Sequence, residues 1–247
     1  MKLFRHLLAV IVLAMPAIAF GAITAPPSTN SDVFLVVTNP TTFATEVIDL
    51  GVSASSLAAL PSQSFTVDSA LIANLGGNAS ALNFQVVATQ GTAGATAGTM
   101  LYTTVFPGSG SATSGTALGT QLTTLGNWFA ANGAAFATAG SYQTFLTTSA
   151  NASWVQNAGA IGAPGSTYGL AGVVTSATVG TALSMYSYTS TGRATAPTTS
   201  SVLGTWTLSG NVLSFVSAAT PLPAAAWLFM SGLLGFGGVT RRRRLAA

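Results

Sequence analysis

Cysteine is absent from this chain, and the single histidine, His6, lies within the first few residues. Without thiols there is no disulfide, no thiolate nucleophile and no Cys-based metal site, whatever compartment the protein occupies. Without a histidine in the body, a serine nucleophile lacks its usual general base, so triad hydrolysis is excluded in its usual form. Zinc would be left with carboxylates alone, which are poor ligands for that ion. Charge is just as scarce, at 4% of residues. The formal net charge of +3 comes from the ends: of seven Lys and Arg, only Arg193 lies away from them, the rest being Lys2, Arg5 and Arg241 to Arg244. Between residues 23 and 219, four acids (Asp32, Glu46, Asp49, Asp68) face one arginine, a net of −3. The basic balance therefore reports the termini, and a nucleic-acid partner has no support. A body so poor in charge must draw its solubility from Ser, Thr, Asn and Gln, a composition that suits an extracellular, Thr-rich β surface.

What is present is clearest at the two ends. Residues 1–22 read as a secretory signal: Lys2 and Arg5 form a positive start, Leu7 to Met15 an apolar stretch, and Pro16 a break before small residues. Ala17-Ile18-Ala19 is an A-x-A cleavage site, with Gly21 or Ala22 as alternatives, so the mature chain is expected to begin between Phe20 and Ile23. At the other end, Pro221 to Thr240 is uncharged and is followed at once by Arg241, Arg242, Arg243 and Arg244. Twenty residues at helical rise cover about 30 Å, the hydrocarbon thickness of a bilayer. Arginines beyond such a span stay cytoplasmic, and Lys2 and Arg5 give the same orientation, so the body is expected across the membrane from both ends. Pro221 and Pro223 keep the chain extended just before the span, leaving a strand that a protease can grip.

The string TPLPAAAWLFMSGLLGFGGVTRRRRLAA, with Pro221, Leu222, Pro223 and Ala224 at its head and the arginine cluster at its tail, resembles the PEP-CTERM class of bacterial sorting signals. It is closer to the VPLPA subclass, in which Pro-Leu-Pro replaces Pro-Glu-Pro, with Thr220 in place of the usual Val. The resemblance implies Sec-type export, a transient stay in the inner membrane, and cutting at or near the proline motif by an exosortase, a multi-pass enzyme resembling a cysteine transpeptidase. It also implies a Gram-negative host that makes exopolysaccharide and biofilm, and a final location at the cell surface or outside the cell. The opening SDVFLVVTNPTTFATEVIDLG, with Asp32 and the Asp49-Leu50-Gly51 ending, also resembles the start of mature members of that class.

The body, residues 23–219, reads as one mainly β domain, a β-sandwich carrying a helical insertion at about 116–157, ahead of the sorting signal at 220–247. Val33 to Thr38 and Phe43 to Leu50 form an expected hairpin about Asn39-Pro40. Short helices are expected from Ser53 to Leu60 and from Ser69 to Leu75, each with a serine cap, and a short strand from Phe65 to Asp68. Further strands are expected at Ala81 to Thr89, Thr99 to Phe106, Tyr168 to Thr175, Thr181 to Thr189, Val202 to Leu208 and Asn211 to Val216. The last two join through Ser209-Gly210-Asn211, with Trp206 and Phe215 as core anchors. Between Thr116 and Ala139, Leu118, Leu122, Leu125, Phe129 and Phe136 recur at helical spacing, and Ser141 to Ala150 is expected to continue that helical stretch.

No constellation in the body points to catalysis, a cofactor or a metal site. The four acids supply hard oxygens for calcium, but none sits in a ligand loop of recognised spacing. Glu46 and Asp49, as the paired carboxylates of a glycosidase, would face opposite sides of a strand, and both read as solvated surface acids. Gly-rich GTAGATAG lacks the Lys-Ser/Thr of a phosphate loop. Asn78 and Asn151 match the glycosylation sequon, a coincidence in the bacterial setting that the resemblance implies. If a ligand surface exists, Tyr186 and Tyr188, on one face of a strand near Arg193, are its expected residues. The expected function is therefore a non-enzymatic surface or matrix protein associated with exopolysaccharide and biofilm. The alternatives are a carbohydrate-binding or adhesive β domain and, last, a secreted hydrolase that uses carboxylates.

Overall fold

The structure is a computed structural model that describes residues 24, 28–42, 44–76, 78–91, 96–107, 114–123, 125–126, 142–145, 173–193 and 198–218, of which 71 and 142–145 are described at the backbone. The signal segment and its cleavage residues Ala17, Ala19 and Ala22 lie outside these residues. So do the sorting motif and Arg241 to Arg244. The chain divides into two compact units, Met1–Ser217 and Ala218–Ala247.

Among the described residues ten strands make one antiparallel sheet: β1 Asp32–Thr38, β2 Thr45–Ser53, β3 Gln63–Thr66, β4 Asn83–Gln90, β5 Met100–Val105, β6 Tyr142–Phe145, β7 Ala177–Thr178, β8 Ala182–Thr189, β9 Thr199–Ser209 and β10 Val212–Ser217. Their spatial order is β3-β10-β9-β8-β5-β4-β1-β2-β6, and β7 joins β4 at Asn83 and Phe84, beyond the reach of β5. The mainly β reading holds. In place of the expected two packed sheets, the described strands are all hydrogen-bonded into one sheet whose two faces bury separate cores.

The period-2 alternation of side chains explains this. Val33, Leu35 and Val37 of β1 share an inner cluster with Phe84 and Val86 of β4, Leu183 and Met185 of β8, Trp206 and Leu208 of β9, and Leu213 and Phe215 of β10. Leu57, Ile72 and Leu75, from the short helical segments after β2 and β3, complete it. Phe34 and Val36 point the other way, into an outer cluster with Val47, Val87, Leu101, Val105 and Tyr188. Residues 115–123 and 125–126 are helical and place Leu118, Leu122 and Leu125 in that cluster, all fully buried. The continuous apolar run of β1 follows: a strand buried on both faces has no polar side to alternate with.

Several local expectations are corrected. Ser69 is the first residue of α1 (Ser69–Asn74) and not its cap; Asp68 caps it, accepting a hydrogen bond from Ala70 N at 2.9 Å. The Ala54–Ala59 segment is a 3-10 helix, and Ser53 makes no side-chain cap bond to it. Tyr142–Phe145 is a strand paired to β2, because the open edge of the hairpin offers Tyr, Thr and Phe a ladder that local helical patterning does not foresee. The helical insertion is thus interrupted by β6, and 127–141 and 146–172 lie outside the described residues. Val173 to Thr175 carry no strand. The β9–β10 hairpin forms as expected, with Gly210 at φ +57° in its turn and Trp206 directly opposite Phe215.

Candidate functional site

Two carboxylates of the described body, Asp32 and Asp49, share the outer face of the β1–β2 pair. Asp49 lies opposite Phe34 across the β1–β2 pair, and Asp32 opposite Ser53, with a register shift between them. Gly51, at φ +64°, lies within that shift and donates its N–H to Asp49 Oδ1 at 2.8 Å. Asp32 accepts from Thr24 N and donates its own N–H to Thr24 O at 2.9 Å, which ties the entry segment to the sheet. Both carboxylates are held above their ordinary range. Burial pushes Asp49 up to about 6, the Gly51 N–H opposes it, and the nearby Asp32 charge adds a smaller upward push. Burial likewise raises Asp32, against the bond from Thr24. The same face carries the fully buried Thr89 and Tyr188, whose hydroxyls have no hydrogen-bond partner. Burial raises Tyr188 as well, with Tyr186 adding to it.

Glu46 and Asp49 were expected on the surface, and both are buried, at 0% and 5% exposure. Glu46 pairs with Val37 and so belongs to the inner face, while Asp49 belongs to the outer one. The two do not flank a common substrate. The pair that does form, Asp32 with Asp49, was not foreseen, although the strand alternation running outward from the Asn39 turn puts them on one face. Two carboxylates can share a proton, but they offer too few ligands for a calcium cage, and among the described residues no group of three or more His, Asp or Glu side chains converges. Asp68 is used as a helix cap.

Tyr186 and Tyr188 stack at 5.9 Å between ring centroids and 24° between planes. Tyr188, fully buried, presents no ring to a ligand, and only half-buried Tyr186 and exposed Arg193 of the expected trio reach solvent. Burial wins here because the Tyr188 ring completes the outer core beside Leu101.

A cleft of about 320 Å³ lies between the β1–β2 turn and the end of α1, with Leu75 and Leu82 among its walls. Its chief polar group is already committed. Asn39 Nδ2 donates to Leu75 O at 2.9 Å and Gly76 O at 3.1 Å, and Oδ1 accepts from Thr41 N and Thr42 N. The cleft therefore holds the turn in place, and its lining carries no carboxylate or amine.

The last described strand, β10, ends in a side-chain contact. This strand is internal, paired to β9 through Ser217 and to β3 through Phe215. Past the end of the β3 ladder a side chain takes over: Ser217 N donates to Ser62 Oγ at 3.0 Å, and the two hydroxyls lie 3.2 Å apart. In comparisons with protein-family models, curated proteins and solved structures, nothing matches the chain. Among the described residues no helix is long and apolar enough to cross a membrane.

Proposed function

We propose that the chain is an exported, non-enzymatic surface or extracellular-matrix protein whose last segment is a sorting signal cut by an exosortase. The observation that carries the reading is the ordered string Pro221-Leu222-Pro223, apolar span, Arg241 to Arg244, which begins four residues after the final strand of the sheet. The division of the chain into units at Ser217 and Ala218 is in keeping with a signal that begins after the final strand. Removing the host's exosortase should leave the full-length chain in the membrane fraction. Unchanged processing without that enzyme contradicts the proposal.

A second reading, a neutral-glycan binder, is favoured by one surface. On the outward side of β3, β10 and β9, the residues Ser64, Thr66, Ser214, Thr205 and Thr207 alternate with the buried ones, beside the exposed Val212 and Val216. No charged residue occurs on these strands. Such a face offers hydroxyls and methyls to a polyhydroxyl ligand. A glycan array read with the exported chain tests it: binding to uncharged glycans supports this reading, and no binding to any glycan removes it.

A further inference from the structure

We infer that the clasp between Ser62 and Ser217 sets the rate at which the C-terminal sorting signal is processed; this rests on the sorting reading above. Residues 218–220 are all that separate the last paired residue from Pro221. Fully extended, three residues reach about 10 Å. An enzyme that binds its substrate as an extended strand takes main-chain hydrogen bonds on both sides of the cut, so several residues before the cut must be free to pair with it. A cut within 221–224 therefore draws on residues whose own hydrogen bonds are already spent.

Val216 and Ser217 are held by β9 on one side, opposite Thr205 and Gly204. On the other side β3 has ended as a ladder at Gln63, opposite Phe215. There Ser62 replaces the missing strand partner by accepting the Ser217 N–H. This end is the weakest point of β10. Val216 is 60% exposed, whereas Phe215, one residue earlier, is 1% exposed and anchored against Trp206. Peeling can stop at Phe215 without opening the core. Two residues released from the sheet lengthen the stretch between the last paired residue and Pro221 from three residues to five. The folded body remains intact, and the processing enzyme gains the backbone it needs.

The absence of cysteine makes the test clean. With the two hydroxyls 3.2 Å apart, the pair Ser62→Cys and Ser217→Cys places two sulfurs where a disulfide can close, the only one in the chain. Processing is followed by pulse-chase of the full chain in its exosortase-bearing host, reading the loss of the C-terminal segment. The oxidised pair should slow processing about tenfold or more, and reductant should restore it, since a cross-link removes the peeled state. Ser62→Ala alone should speed processing about fivefold, the worth of one neutral hydrogen bond. A Gly-Ser insertion of about six residues after Ala218 should make processing fast and independent of Ser62. A locked chain processed as fast as the wild type, or a rate unmoved by the insertion, overturns the clasp while leaving the sorting reading in place. A wild-type chain that is never cut overturns both.

Discussion

Gly204→Ala is the sharpest probe of how β9 and β10 are packed. Gly204 lies opposite Met185 on β8 and Ser217 on β10. A Cβ built there would sit 2.4 Å from Val216 O, and 2.5 and 2.6 Å from Cε2 and Cζ of Phe215. Ordinary carbon contacts begin near about 3.5 Å, so something must move by roughly 1 Å. The ring has little freedom, being 1% exposed, with its centroid 4.7 Å from that of Trp206, which in turn lies 5.7 Å from Phe65. The carbonyl belongs to β10, so shifting it disturbs the ladder. Overpacking of this kind costs about 1–3 kcal/mol, and a lost ladder hydrogen bond adds about 1 kcal/mol. We expect a destabilisation of about 2–4 kcal/mol, read as a fall of about 1 M in the urea midpoint of the tryptophan signal. Gly210→Ala is the control. Nothing lies within 4 Å of its Cβ, but φ is +57°, so it should cost only about 1–2 kcal/mol. A Gly204→Ala chain within about 0.5 kcal/mol of wild type would refute the packing argument.

Three further outcomes follow from the same structure. Asp49 is raised to about 6 in the fold against an ordinary value near 4, so the folded state binds its proton more tightly and stability falls as pH rises through that window; Asp49→Asn, which keeps an acceptor for Gly51 N, should flatten the slope and gain about 1–2 kcal/mol at pH 7, and thermal melts against pH would show it. Asn39→Ala removes four hydrogen bonds at the β1–β2 turn and should cost about 2–4 kcal/mol in urea unfolding. Leu122→Ala, fully buried between the helix and the outer face, should cost about 2–5 kcal/mol, whereas a loss under about 1 kcal/mol would mean the helix does not cover that face.

Most of the long strands were legible because their signals are local. Apolar runs ending at Asn39-Pro40, at Gly91 and at the Ser209-Gly210-Asn211 turn predict β1, β4, β9 and β10 to within a few residues. The Leu118, Leu122, Leu125 spacing likewise predicts one helical face, and all three are buried. What could not be read is where strands go once made. Whether ten strands form one sheet or two depends on pairings such as β5 with β8 and β3 with β10, between segments far apart in sequence. The same blindness hid β6, whose four residues become a strand only because β2 has an edge to offer. Acidic residues misled for a related reason. Glu46 and Asp49 look like surface charges in a strand of mixed pattern, but β2 lies between β1 and β6, and both of its faces meet a core. Tyr188 was misplaced because a tyrosine one turn of the pleat from Tyr186 looks like half of an open stacking surface, whereas the outer cluster claims its ring.

The sorting reading requires that the last 28 residues, 220–247, be cut within or just after the proline motif. The decisive measurement is the intact mass of the mature protein from its native host, together with its C-terminal peptide. We expect a chain that begins between Phe20 and Ile23 and ends between Pro221 and Ala224, with Arg241 to Arg244 gone. A mature chain that still carries Arg241 to Arg244 contradicts the sorting reading.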